Sequence, residues 1–172
     1  MQNVEARLPA TGGTTTVAEP VAGVIGGLVA GAAYLAAQVT FTAAVHPGSA
    51  AEPLQRIAAI LMGPDAAPPP AEFTFTTLGM ALIIHLGLAM VFGRIVSVLA
   101  WRRSAGIGVL TGALVGLALY VLDFAVIAPI AFPWFEDSLR AVTIADHALF
   151  GAVAASVCLA LRAWPLEESK HA

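Results

Sequence analysis

The sequence predicts an all-α integral membrane protein, built as a bundle of four membrane-spanning helices. Three observations support this prediction. Of the 172 residues, 59% are hydrophobic and only 11% are charged, against about 25% charged residues in soluble domains. Mean hydropathy is +0.86. The apolar residues also fall into four stretches, each long enough to cross about 30 Å of hydrocarbon as a helix.

The composition excludes several other classes of protein. A soluble enzyme could not cover its surface with so few charges, and a disordered segment would be far less apolar. The net charge of −3 provides no basic surface for nucleic acid. A single cysteine excludes a disulfide framework and a multi-cysteine metal site.

Turn and charge signals separate the four predicted spans. The spans are Val21–Val45, Leu78–Ala100, Gly106–Ile130 and Thr143–Trp164. His46-Pro47-Gly48 ends the first, Arg102-Arg103-Ser104 follows the second, and Phe132-Pro133-Trp134 follows the third. The first stretch is longer than the apolar region of a signal peptide and lacks a basic segment before it, so we expect a retained span. The transmembrane domain covers residues 20–164.

Three segments lie outside the predicted spans. Residues 1–19 form a Thr- and Gly-rich head that we expect to be flexible, and residues 165–172 form a short tail. The loop 46–77 is long. In it, Leu54, Ile57, Ala58 and Leu61 recur at helical spacing, which predicts a short amphipathic helix at the membrane surface. Pro68-Pro69-Pro70 then forms a stiff spacer before the second span.

Lys and Arg predict the orientation, because they concentrate on the cytoplasmic side. If the Arg102-Arg103 turn is cytoplasmic, both termini are too. The cytoplasmic side then holds Arg7, Arg94, Arg102, Arg103, Arg162 and Lys170, and the outer side holds Arg56 and Arg140. We therefore predict a multi-pass protein of the bacterial inner (plasma) membrane with both termini in the cytoplasm.

Two spans begin with the same glycine pattern. Gly23, Gly27 and Gly31 repeat every four residues in the first span, and Gly108, Gly112 and Gly116 do so in the third. Small residues at this spacing let helices approach closely in lipid. A tyrosine follows each set, Tyr34 or Tyr120. The pattern suggests two parallel two-helix repeats, and the alternative is that both spans are simply glycine-rich.

Polar side chains form a candidate site in the outer half of the bundle. Steps of three, four or seven residues place each of them on the same helix face as the small residues. They are His46, Gln38, Thr42, His85, Tyr120, Asp123 and His147. At 1.5 Å per residue, His85, Asp123 and His147 lie roughly 6–11 Å inside the outer boundary. A carboxylate at this depth needs a partner, and a histidine from a neighbouring helix is the natural one.

Several roles are open to this layer. It can be a structural lock of hydrogen bonds between helices, with Asp123 bound to His85 or His147. It can hold b-type haem between His85 and His147, or a metal with His46 and Asp123 as further ligands. It can also bind a small ligand such as a quinone headgroup, or relay protons in a small transporter. Pro129 is expected to bend its helix and open space above the layer.

Three other residues have ordinary interpretations. Cys158 lies in the middle of a span, where we expect a small buried side chain. Arg94 and Asp146 lie near predicted helix ends, so we expect their side chains to reach water.

Short motifs from Leu54 to Arg162 resemble a group of small four-span bacterial inner-membrane proteins. The matching positions are Arg56–Gly63, Pro68–Pro70, His85, Phe132–Phe135 and His147–Gly151. Some members of the group carry the name "sodium:proline symporter". The resemblance implies topology and location, and it supplies no catalytic or binding residues.

The sequence favours a non-catalytic accessory or anchoring component of a membrane assembly. The glycine faces and the lack of a sizeable soluble domain motivate this hypothesis. Its partners would be the lipid bilayer, other membrane subunits or a second copy of the chain, and not nucleic acid. The alternative is a membrane protein that binds haem, a metal or a lipophilic ligand, or a small proton-linked transporter.

Overall fold

A computed structural model describes residues 15–68, 72–135, 140–163 and 165–166 of the chain. Most of the predicted head and tail, and Pro69 and Pro70 of the predicted spacer, lie outside these residues. A two-residue antiparallel pairing joins β1 (Thr15–Thr16) to β2 (Pro165–Leu166). The rest of the described architecture is helical, which confirms the predicted fold class.

Among the described residues, four helices are long and apolar enough to cross a membrane, as in an integral membrane protein. They are α1 (Glu19–Val45), α3 (Phe75–Ala100), the helix that begins with α4 (Ala105–Tyr120), and α6 (Arg140–Ala163). Pro20 at the start of α1 needs no N–H partner. Thr74 and Thr77 form a reciprocal capping box at the start of α3.

Glycine lets α1 approach α3 at backbone contact. A Cβ added to Gly27 would overlap the carbonyl oxygen of Ala89, and one added to Gly23 would lie 2.9 Å from the Cβ of Ser97. On a second face of α1, a Cβ on Gly26 would lie 2.7 Å from the carbonyl oxygen of Ala154 in α6. α1 therefore packs closely against two spans at once.

The same packing joins α4 to α6. A Cβ on Gly112 would overlap the carbonyl oxygen of Gly151, and one on Gly116 would overlap that of His147. A Cβ on Gly108, the third glycine of this set, would lie 2.6 Å from a methyl carbon of Leu159. The two halves of the bundle thus use similar glycine contacts, while their origin as repeats stays a prediction.

A short turn, Trp101–Ser104, connects α3 to α4. The guanidinium of Arg162 in α6 donates hydrogen bonds to the carbonyls of Trp101 and Arg103 and so holds this turn against the bundle. We call this the turn end of the molecule, and the opposite one, where the short helix α2 (Glu52–Met62) lies, the α2 end.

At the α2 end lies α2 (Glu52–Met62), the short helix that the spacing of its apolar residues predicts. Gly48 and Gly63 flank it with φ of 94° and 91°, a backbone conformation that favours glycine. Arg56 of α2 donates to the carbonyl of Trp134, and Trp134 Nε1 donates to the carbonyl of Arg56 at 3.0 Å. These reciprocal bonds tie α2 to the turn Pro133–Phe135.

The span that begins with α4 changes its hydrogen-bond pattern near its middle. Residues Val121–Ile127 form a π-helical segment before α5 (Ala128–Ala131) completes the span. In this segment the N–H of Ala128 donates to the carbonyl of Asp123, five residues back. Because Pro129 has no N–H, it cannot donate an α-helical hydrogen bond to the carbonyl of Ala125. The sequence predicts a bend at Pro129, and the structure shows a shift of register that includes Asp123.

Candidate functional site

A cavity of about 470 Å³ lies between α3 and the π segment, on the α2 side of the bundle. Most of its wall is apolar. The polar side chains that line it are Tyr34, His85, Asp123 and His147. Leu88, Leu122 and Ile127 also line it and are 44%, 45% and 38% exposed. Since exposed apolar residues of a spanning helix face lipid, the cavity is a cleft that opens sideways toward the bilayer. We call it the lateral cleft.

His147 is the central polar residue of the cleft, and it is only 8% exposed. Its Nδ1 lies 2.8 Å from the carbonyl oxygen of Thr143, one turn earlier in α6. Because a carbonyl only accepts, Nδ1 must carry a hydrogen. Its Nε2 lies 3.8 Å from a carboxylate oxygen of Asp123, whose side chain is 27% exposed. The predicted pairing of Asp123 with a histidine is therefore the one with His147.

His85 reaches the same cleft from α3 but binds a different partner. Its Nε2 lies 2.8 Å from the carbonyl oxygen of Gly31 in α1. Here too the carbonyl only accepts, so Nε2 donates. A Cβ at position 31 would lie 2.6 Å from the Cβ of Ala89, so the glycine lets α1 and α3 approach closely at this point.

Aromatic rings surround His147. Its imidazole contacts the rings of Tyr34, Tyr120 and Phe124, at centroid distances of 5.1, 5.7 and 5.6 Å. Tyr34 also contacts His85 at 5.5 Å, and its hydroxyl lies 3.4 Å from Nδ1 of His147. Tyr34 thus contacts both histidines, although it is not among the site residues predicted from the sequence. It lies four residues before Gln38, and this spacing places both side chains on the same face of α1.

Gln38 has a partner that sequence reasoning missed. Its amide donates a hydrogen bond of 2.7 Å to the carboxylate of Asp146 in α6. Asp146 is only 7% exposed, so the expectation that it reaches water is wrong. The side chain of Arg94 is 34% exposed, and its guanidinium also forms an ion pair with Glu19, which in turn accepts from Ser97.

His46 and Thr42 lie outside the lateral cleft. With Gln38, they line a smaller and more polar cavity of about 140 Å³ at the α2 end, beside Glu52 and Arg56 of α2. We call this cavity the vestibule. His46 is exposed at its rim. The predicted single layer of polar residues is therefore two adjoining cavities, and Tyr34, Ile57, Phe124 and Phe135 line both.

The geometry limits what the site can hold. Within the part of the chain that the structure describes, no group of three His, Cys, Asp or Glu side chains could hold a metal ion. For haem, iron needs a free nitrogen from each histidine. Nδ1 of His85 and Nε2 of His147 are free of the hydrogen bonds to Gly31 and Thr143, but the ring of Tyr34 contacts both imidazoles. The mostly apolar wall of the cleft fits an organic ligand.

Comparison with protein-family models, curated proteins and solved structures found no match for this chain.

Proposed function

We propose that this integral membrane protein binds a small lipophilic molecule with a polar headgroup in the lateral cleft. The observation that supports this proposal is a largely apolar cavity of about 470 Å³ with His85, Asp123 and His147 on its wall. A ligand pocket commonly combines apolar walls with a few convergent polar groups. A purely structural lock of hydrogen bonds would need no such space.

The route into the cleft follows from its position. The glycine contacts close α1 against α3 and α4 against α6, whereas Leu88 and Leu122 are exposed beside the cleft. A lipophile dissolved in the bilayer can therefore enter between α3 and the π segment. Its apolar part would lie toward Leu88 and Leu122, and its headgroup beside Asp123 and His147.

Extraction of co-purifying lipophiles tests this proposal. The protein is purified from membranes in mild detergent, extracted with organic solvent and analysed by liquid chromatography with mass spectrometry. We expect one class of lipophile near one mole per mole of chain. Leu122→Trp fills the cleft and should remove it.

Leu114→Trp is the matched control. Leu114 lies on the same span, is 58% exposed and does not line the cleft. This variant should retain the lipophile. No lipophile in the wild type, or equal amounts in all three proteins, would contradict the proposal.

An accessory or anchoring role stays a second proposal with weaker support. Its main motivation is the glycine faces, and Gly23, Gly27, Gly31, Gly108, Gly112 and Gly116 all contact other helices of the same chain. These glycines are therefore not available for a partner. Mass analysis after mild detergent extraction tests this role, and a lone monomer would contradict it.

The cellular location of the chain and its relation to other membrane proteins are also proposals. We propose a bacterial inner membrane with both termini in the cytoplasm, on the distribution of Lys and Arg. The resemblance to small four-span bacterial inner-membrane proteins agrees with this location.

A further inference from the structure

The chemistry of the cleft wall indicates which headgroup it binds. In its neutral form, His147 donates through Nδ1 to Thr143 and leaves Nε2 as an acceptor facing Asp123. His85 donates through Nε2 to Gly31 and leaves Nδ1 as an acceptor. The carboxylate of Asp123 only accepts. Of the polar side chains described in the lining, Tyr34 alone retains a hydrogen to donate.

The charge of the cleft wall also favours a headgroup that donates hydrogen bonds. No Lys or Arg is among the described residues that line the lateral cleft, so the charge of Asp123 has no cationic side chain beside it there. The nearest described ionic partner is His147, at 3.8 Å, longer than an ordinary hydrogen bond. A carboxylate in an apolar cleft attracts a cation strongly, because little water screens it.

The aromatic side chains add a third observation. Phe92, Phe124, Phe135 and Phe150 line the cleft together with Tyr34. The faces of such rings attract organic cations through their quadrupoles. A carboxylate among aromatic rings is a suitable setting for an ammonium group.

From these observations we propose that the ligand of the lateral cleft is a lipophilic organic cation, such as an alkylammonium. This inference rests on the proposed function and names its ligand class. The ammonium donates to the carboxylate of Asp123 and to Nε2 of His147, and its alkyl part lies toward Leu88 and Leu122. A quinone, whose carbonyls only accept, would find Tyr34 as its donor and is the competing outcome.

Binding of three matched probes to the full chain in lipid nanodiscs tests the inference. They are dodecylamine, which is protonated at neutral pH, the neutral dodecanol, and decyl-ubiquinone. Isothermal titration calorimetry measures each, with empty nanodiscs subtracted. We expect saturable binding of dodecylamine, at least about tenfold tighter than that of dodecanol.

Two isosteric variants locate the charge that matters. Asp123→Asn should weaken dodecylamine binding about tenfold or more and leave dodecanol binding almost unchanged. Asp146→Asn makes the same change on a carboxylate that binds Gln38 and does not line the cleft, so it should retain dodecylamine affinity. Size-exclusion profiles check that both variants fold.

The outcomes separate the two proposals. Equal affinity for all three probes, or tight decyl-ubiquinone binding that Asp123→Asn does not weaken, would overturn the cation inference and leave the lipophile-binding function in place. If no probe binds saturably, both proposals fail.

Discussion

Two carboxylates, Asp123 and Asp146, show how single residues shape this site. Asp146 accepts a hydrogen bond from Gln38, while Asp123 faces the lateral cleft. Sequence spacing predicts that Asp123, His85 and His147 each point from their own helix into the bundle interior, and all three line the cleft. Spacing could not predict the Gln38–Asp146 pair, because Asp146 is next to His147 in sequence and so points about 100° away from it around α6.

At the residue scale, we predict that Gln38→Leu destabilises the bundle. The change removes the amide that binds Asp146 and leaves a carboxylate unpaired within the membrane. The free energy of unfolding, measured by titration with sodium dodecyl sulfate, should fall by about 1–2 kcal/mol. Thr40→Val, on an exposed position of the same helix, should change it little. Equal stability of both variants would contradict the assigned role of Gln38.

Helical elements determine where the cleft can open. The glycine pattern in the sequence predicts close helix contacts, and the structure places them between α1 and α3 and between α4 and α6. Sequence could not assign these partners, because a glycine face does not specify which helix it meets. The π segment could not be predicted from the sequence either. Pro129 predicts a break in the helical hydrogen bonds, but not that residues Val121–Ile127 would adopt the π-helical pattern.

Two glycine substitutions test this packing at the element scale. Gly116→Ala places a Cβ on the carbonyl oxygen of His147, so it should lower the free energy of unfolding by about 1–3 kcal/mol. Gly87→Ala meets nothing within 4 Å of its Cβ. It should be neutral or raise stability by up to about 1 kcal/mol, because alanine favours the helix. Similar losses in both variants would contradict the packing.

The attachment of α2 is testable in the same way. Trp134→Phe removes the N–H that donates to the carbonyl of Arg56, while it keeps an aromatic ring. We expect faster hydrogen–deuterium exchange across residues 52–62 and unchanged exchange in α6. Unchanged exchange in residues 52–62 would show that this bond does not hold α2 in place.

For the whole molecule, hydropathy predicts the fold class best, because the four apolar spans determine that class. The described helices begin and end close to the predicted bounds. The arrangement of the four spans, and the space left between α3 and the π segment, depend on side-chain volumes summed over several helices. The division of the polar layer into cleft and vestibule could not be predicted for that reason.

Cysteine labelling tests the predicted orientation of the whole chain. Ser49→Cys lies in the loop before α2, and Ser104→Cys lies in the turn between α3 and α4. The native Cys158 is fully buried and gives little background. A membrane-impermeant maleimide should label Cys at position 49 in intact cells, and at position 104 only after lysis. The reverse pattern would overturn the orientation.

A crystal structure grown from a lipidic mesophase with dodecylamine tests the central claim most directly. We predict elongated density in the lateral cleft, with its polar end within hydrogen-bond distance of Asp123 and His147 and its chain leaving beside Leu122. A structure in which Leu88 packs against Leu122, with the cleft closed and Asp123 turned away from His147, would contradict the account.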